Sequence, residues 1–312
     1  MKPESIRALK AEISAEVVAQ HGDSPDVVSF FAATEPPLPC GLGISLRDDG
    51  EHVLAVRTES PAIAAEMINR TNGEADVKIM RVSARISAGE LQGAVRPLEP
   101  GAQVQIRGVN FVGTLGAFVR DAAGVLYALS NSHVLADIGA TPIGTGIGQP
   151  LGGSPIGVLS RHVPLSRTAP NLVDAAIARL DKTTALVDGW NAAIAGRIKG
   201  PRLIGTDDLG RTVTKVGRTT GVRIGKVTAV EVDGLGVNYG SSGIISFNDQ
   251  IEVSGGAATD FSAGGDSGSL IIDSDGWALA LLFAGGFDGV EDRTYGNRIG
   301  NVLASLGVVL AI

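Results

Sequence analysis

Cysteine is almost absent from this chain: of 312 residues, only Cys40 carries a thiol. No disulfide can form within the chain, so stability has to come from a buried core, and a reducing, cytoplasmic setting is the expectation. Basic charge is also in deficit. Lysine and arginine number 26 against 33 aspartates and glutamates, a formal net charge of −7. That balance argues against nucleic acid or an anionic membrane surface as the main partner. Long apolar runs are missing too. The most hydrophobic stretches, residues 277–287 and 302–312, are too short to span a bilayer. The first suits a buried strand and the second a closing helix or strand. No cysteine cluster and no histidine–carboxylate spacing suggests a metal, so neither a metal nor another cofactor is expected. There is no internal repeat, and the charged amino-terminal decapeptide lacks the apolar centre of a signal peptide.

What the chain has in abundance is glycine, 43 residues, beside 44% hydrophobic residues gathered in short Val-, Ile- and Leu-rich runs. That pattern favours a β body with tight turns, and the length leaves room for two domains. The most informative stretch is residues 264–269, Gly-Gly-Asp-Ser-Gly-Ser, followed at once by Leu270, Ile271 and Ile272. Glycines on both sides let the backbone turn sharply and let a substrate carbonyl approach Ser267. Such a turn can aim the N–H groups of Gly265 and Ser267 at one point, where an oxyanion would be stabilised. A serine hydroxyl also needs a base within reach and a third group to orient that base.

Only four histidines are available, His21, His52, His133 and His162, and all precede Ser267. The order Ser, acid, His of the α/β-hydrolases is thereby excluded. His133 follows a strand–turn–strand pattern over residues 113–130, which delivers Asn131, Ser132 and His133 at a strand end. His162 lacks that approach, and His21 and His52 fall in the leading segment. Asp174 is a lone carboxylate inside the apolar run Leu172-Val173-Asp174-Ala175-Ala176-Ile177, and burying it is costly without a partner. His133 is the expected partner. Singly, each residue has a plainer reading as turn chemistry or an ordinary hydrogen-bonded side chain. Their joint order favours a triad.

The motifs Asn131-Ser132-His133, Val173-Asp174-Ala175-Ala176-Ile177 and Gly265-Asp266-Ser267-Gly268 together resemble those of chymotrypsin-like (trypsin-fold) serine peptidases. Residues 215–227, Lys-Val-Gly-Arg-Thr-Thr-Gly-Val-Arg-Ile-Gly-Lys-Val, and residues 148–158 resemble bacterial intracellular members of that class. Ser132 stands where the family usually has alanine, and no cysteine follows His133. The resemblance covers roughly residues 100–312. It implies a mainly β protein of two six-stranded antiparallel barrels in a peptidase domain of residues 96–312. Barrel one, about 102–180, would carry His133 and Asp174; barrel two, about 203–300, would carry Ser267. Residues 1–95 read as a small α/β leader. It would hold a helix within residues 1–31, a Pro-rich connector, a hairpin at 41–57, a helix opened by Ser60-Pro61 and a strand at 76–82. Residues 181–202 read as the crossing between barrels, and a helix packed across barrel two is expected from about Asn297.

The implied activity is hydrolysis of peptide bonds in a protein or peptide substrate. His133 would act as base, Asp174 would orient it, and the N–H groups of Gly265 and Ser267 would form the oxyanion hole. Asp260, Phe261 and Ser262 are candidates for the substrate-pocket floor, with Ala284 and Gly285 in its wall. A Phe261 floor would suit neutral side chains, and an Asp260 floor would suit lysine or arginine. Arg85-Ile86-Ser87 resembles an activation site whose freed amine could pair with Asp266; the end of a strand is the plainer reading. Two rivals stand beside the peptidase: a non-catalytic peptide-binding module, and a peptidase confined to its own chain or one partner. The presence of all three catalytic residue types disfavours the module.

Overall fold

The structure is a computed structural model, and it describes residues 1–22, 40–80, 82–84, 94–149, 155–186, 198–256 and 259–312. The Pro-rich connector, the Arg85-Ile86 bond and Trp190 with half of the expected crossing lie outside these residues. The leading segment contributes β1 (Cys40–Leu46), β2 (His52–Thr58), β3 (Asp76–Ile79) and β4 (Ser83–Ala84). There follow β5 (Gln103–Ile106), β6 (Gly113–Thr114), β7 (Ala117–Arg120), β8 (Leu126–Ser130), β9 (Gly146–Gly148), β10 (Pro155–His162) and β11 (Ala176–Leu180). The rest are β12 (Gly200–Pro201), β13 (Thr212–Gly217), β14 (Gly221–Asp233), β15 (Leu235–Asn238), β16 (Ile244–Phe247), β17 (Gln250–Ser254), β18 (Leu270–Asp273), β19 (Trp277–Phe287), β20 (Asp292–Arg298) and β21 (Val309–Leu310). The helices are α1 (Pro3–Gly22), α2 (Pro61–Arg70), α3 (Ser132–Leu135) and α4 (Ile299–Leu306).

Both barrels close. In the second, antiparallel ladders run from β13 to β14, β17, β20, β19, β18 and back to β13. In the first, the ring is β5, β9, β10, β11, β8 and then one bent strand whose halves are β7 and β6. The bend falls at Leu115-Gly116, where a Cβ on Gly116 would collide with the carbonyl of Gly268. Glycine is required there by the close approach of one barrel to the other.

Each barrel is filled from alternate strand positions. Val104, Leu115, Phe118, Ile147, Ile156 and Leu159 fill the first; Val213, Val253, Phe261, Ile271 and Leu282 are among those filling the second. Leu129, Val173 and Ile177 of barrel one pack against Leu270, Leu281 and α4 between the two. The helix expected after Asn297 is therefore present and packs on β19 and β20 of barrel two, with its apolar face also against barrel one. Gly307 ends it with a φ of +62°, and the chain turns back as β21 onto β7 of barrel one.

The leading segment does not stand apart. β1 pairs with β2 on one edge and with β14 of barrel two on the other, so β1, β2 and β3 extend that barrel's sheet. A buried, doubly bonded ion pair pins the join: Arg57 Nε and Nη2 lie 2.6 and 2.9 Å from the two oxygens of Glu252. Tyr295 and Thr228 each donate a hydroxyl to the same carboxylate, both at 2.8 Å. α1 buries Ile6 and Ile13 in the same core, and its Lys10 pairs with Asp233 at 2.9 Å. β4 is held between two strands, parallel to β15 and antiparallel to β19. Among the described residues, no helix is long and apolar enough to cross a membrane.

Candidate active site

His133 sits in the single turn of α3, immediately after β8, and Asp174 lies just before β11. Because β8 and β11 are paired, the two side chains emerge from neighbouring strand ends. One oxygen of Asp174 lies 2.5 Å from His133 Nδ1, and the other accepts the His133 backbone N–H at 3.1 Å. This double hold fixes the ring and directs Nε2 away from the carboxylate. Nε2 is buried and has no hydrogen-bond partner.

Asp174 is gripped from three further directions. Asn131 donates its amide to the Asp174 carbonyl at 2.7 Å. Asp174 donates its own N–H to Asn297 of β20 at 2.9 Å, and Asn297 in turn donates to Gln250. Tyr239, just after β15, donates its hydroxyl to the carboxylate at 2.7 Å. Complete burial pushes the Asp174 carboxyl upward, but His133 and the Tyr239 hydroxyl outweigh it and hold the group below its ordinary value. Burial and the neighbouring charge push the Tyr239 phenol well above its ordinary value, so it stays a donor.

Ser267 comes from barrel two, on the turn before β18. Thr114 donates its N–H to the Ser267 carbonyl at 2.7 Å, and a Cβ on Gly113 would strike both that carbonyl and Val134, the neighbour of His133. The Ser267 hydroxyl is directed at the Phe283 carbonyl, 3.4 Å away, and not at the imidazole. Gly265 and Gly268 both have a φ of +95°, which forms the sharp turn expected from sequence. The Asp266 and Gly268 N–H groups point inward, to the carbonyls of Ala263 and Leu282.

Two closed barrels thus meet at a seam, with His133 and Asp174 on one side and Ser267 on the other. The fold is that of the chymotrypsin-like serine proteases. Solved structures with a similar fold include a glutamic acid-specific serine protease, 22% identical over 68% of this chain and 100% of that one, with a TM-score of 0.49. Thermobifida fusca protease A is 19% identical over 68% and 97% of the two chains, with a TM-score of 0.49. Cellulomonas bogoriensis chymotrypsin is 18% identical over 68% and 97%, with a TM-score of 0.48. No protein-family model and no curated protein sequence matches the chain.

Within this chymotrypsin-like frame, the segment from Lys215 to Gly221 cradles Asp266. Lys215 Nζ lies 2.8 Å from one carboxylate oxygen, which also accepts from the Thr220 hydroxyl at 2.6 Å and Ala263 N–H at 3.0 Å. The other oxygen accepts the N–H groups of Thr219 and Thr220 at 2.9 and 3.2 Å. Both members of the ion pair are fully buried. Burial pushes the Asp266 carboxyl up, but Lys215 holds it below its ordinary value; burial also lowers the Lys215 ammonium. A Cβ at Gly217 would collide with the Asp266 carboxylate, which explains that glycine. No freed chain amine is needed to satisfy Asp266.

The pocket candidates separate. Asp260 is exposed, and Phe261 is buried in the core of barrel two. Ser262 is buried and shares a 2.7 Å hydrogen bond with Thr294. Thr294 pairs with Gly285, and its hydroxyl donates at 3.4 Å to Asp292, two residues back on the same face of β20. Ser262, Thr294 and Asp292 therefore form a polar line along β20, with Thr294 opposite Gly285 and Asp292 opposite Phe287 of β19. Asp292 had no signal in the sequence, since nothing local ties it to Ser262. Tyr239, Asn297 and Lys215 were likewise missed as site residues. His162 lies on β10 of barrel one and His52 on β2 of the leading segment. Cys40 is buried, and burial pushes its thiol up to about 11, which leaves it unreactive near neutral pH.

Proposed function

We propose that this protein is a serine endopeptidase acting through Ser267, His133 and Asp174. The observation that carries the reading is the double hold of Asp174 on His133, at Nδ1 and at the backbone N–H, with Nε2 left buried and unpartnered. A ring held this way has one nitrogen committed to the carboxylate and the other available for a proton. On substrate binding, the Ser267 hydroxyl rotates from the Phe283 carbonyl toward Nε2. His133 takes its proton as Ser267 attacks the peptide carbonyl, then gives it to the leaving amine. Water, deprotonated by the same imidazole, then hydrolyses the acyl-enzyme. Asp174 holds the tautomer and stabilises the imidazolium. The N–H groups of Gly265 and Ser267 stabilise the oxyanion, each such donor being worth roughly 3–4 kcal/mol of barrier.

The test is covalent labelling with a fluorophosphonate, comparing wild type with Ser267→Ala and His133→Ala. Labelling at Ser267 in the wild type alone is the expected result. A folded full-length protein whose Ser267 stays unlabelled rejects the peptidase reading in favour of a peptide-binding module.

A further inference from the structure

The hairpin of β15 and β16 ties the two sides of the seam together. Toward barrel one, Asn171 donates its N–H to the Ser246 carbonyl and its own carbonyl accepts from Asn248, both at 2.8 Å. Gln250 donates its amide to the Leu172 carbonyl at 2.9 Å, so the approach to Asp174 is held against this hairpin. Toward β19, β15 has no pairing of its own: the strand order among the described residues is β16, β15, β4, β19. Ser83 is in parallel register with Asn238, whose N–H donates to the Val82 carbonyl at 3.0 Å. On its other edge, Ser83 pairs with Gly285 and Ala84 with Ala284, antiparallel.

Tyr239 stands at the end of this hairpin, directly after Asn238. Its N–H donates to the Gly243 carbonyl at 2.9 Å, and its ring meets His133 edge-on, with 5.8 Å between centroids. Its hydroxyl is the one donated to Asp174. Val82 is buried in the same apolar cluster as Tyr239, Phe247 and Phe283. Neighbouring strands lie about 4.8 Å apart, so β15 and β19 stand about 9.6 Å apart and cannot bond to each other directly. An empty slot would leave unpaired backbone groups on both rims, and the hairpin would rest on two strands, which is marginal in water. Residues 82–84, from the leading segment, fill that slot.

Resting on the peptidase reading, we infer that β4 is a positioning element of the active site: by filling the slot between β15 and β19 it seats Tyr239 on Asp174, and the reactivity of Ser267 depends on it. Asp174 is thereby held from both barrels, and the leading segment takes part in the chemistry without touching a reacting atom. A strand that supports the site differs from one that merely covers it, and the two edges of β4 separate these roles. Backbone groups alternate sides along a strand. The Val82 carbonyl faces β15, so the Ala84 N–H faces β15 as well and the Ser83 N–H faces β19. Ala84→Pro therefore cuts into the β15 edge and leaves the Ser83–Gly285 pair in place. The rim of β19 stays covered while the hairpin that carries Tyr239 is released.

The experiment measures fluorophosphonate labelling of Ser267 on the full chain as a function of probe concentration. Wild type, Ala84→Pro, Tyr239→Phe and the double variant are compared, with urea unfolding of each run in parallel. The probe is small and does not extend along β19, so it reports on the nucleophile. Each single variant is expected to lower the maximal labelling rate about tenfold with the half-saturating concentration unchanged. The double variant is expected to fall no more than about threefold below either single one, because both act through the same hydrogen bond. Val82→Ala keeps every backbone bond and removes packing beside Tyr239, so it stands in if Ala84→Pro does not fold. Its expected loss is about threefold, and this loss vanishes on the Tyr239→Phe background. Losses that multiply in the double variant, a raised half-saturating concentration, or labelling of Ala84→Pro at or above the wild-type rate overturn the inference and leave the peptidase reading standing. A folded wild type that stays unlabelled removes both.

Discussion

Replacing Lys215 with methionine removes the cation under Asp266 and keeps most of the side-chain volume. Asp266 is left fully buried with four neutral donors, from Ala263, Thr219 and Thr220. Breaking a buried pair in this way costs about 3–5 kcal/mol, because the surviving charge stays desolvated. For a chain of this size that corresponds to a fall in Tm of roughly 6–20 °C. The pH dependence carries the sharper test. In wild type the Asp266 carboxyl lies below its ordinary value, so its pairing stabilises the fold above that value and fades as pH falls. In Lys215→Met the same carboxyl is raised, so the penalty is full at neutral pH and disappears on acidification. Urea unfolding at pH 7 and pH 5 should therefore show the gap between the two proteins narrowing at pH 5. Adding Asp266→Asn to the variant should recover at least half of the loss at pH 7. The reasoning fails if Lys215→Met matches wild type at pH 7, or if the gap stays constant with pH.

Three further outcomes follow from the same geometry. Tyr239→Phe removes a hydroxyl donated to Asp174; kcat should fall about tenfold, on the order of 1.5 kcal/mol, with KM unchanged, and a raised KM with normal kcat would reassign Tyr239 to substrate binding. Gly217→Ala drives a methyl against Asp266 and should cost about 1–3 kcal/mol in urea unfolding, with slower fluorophosphonate labelling. Acid should also loosen the joint between the leading segment and barrel two. Although burial pushes Glu252 upward, Arg57 lowers it from 4.5 to about 2. That fall is worth about 3 kcal/mol of stability above pH 4.5, lost as pH drops through about 2. Unfolding followed from pH 5 to pH 2 should show this slope in wild type and a flatter one in Glu252→Gln.

The parts legible in the sequence were those where local pattern and chemistry coincide. Gly265-Asp266-Ser267-Gly268 forms the turn because the left-handed backbone at 265 and 268 demands glycine. The apolar run around Asp174 announced a buried carboxylate that needed a partner, and His133 is that partner. Lys215 illustrates what was not legible. Its residue type reads as a surface charge, and only the ladder from β13 to β18 brings it to Asp266, 51 residues away in sequence. Tyr239 and Asn297 reach Asp174 from barrel two by the same kind of nonlocal register. The three consecutive residues Asp260, Phe261 and Ser262 could not be sorted by composition, since one residue of offset decides which is exposed and which is buried. The leading segment read as a separate α/β unit because its hairpin is locally complete; the edge pairing of β1 with β14 leaves no trace in either strand alone.

That edge pairing sets the arithmetic of anything attached to it. The strand β1, knitted into barrel two and pinned by Arg57 to Glu252, lies upstream of β4 in the same chain. The pairing of residues 82–84 with β15 and β19 is therefore intramolecular, at an effective concentration of millimolar order fixed by linker geometry. Dilution leaves that concentration unchanged.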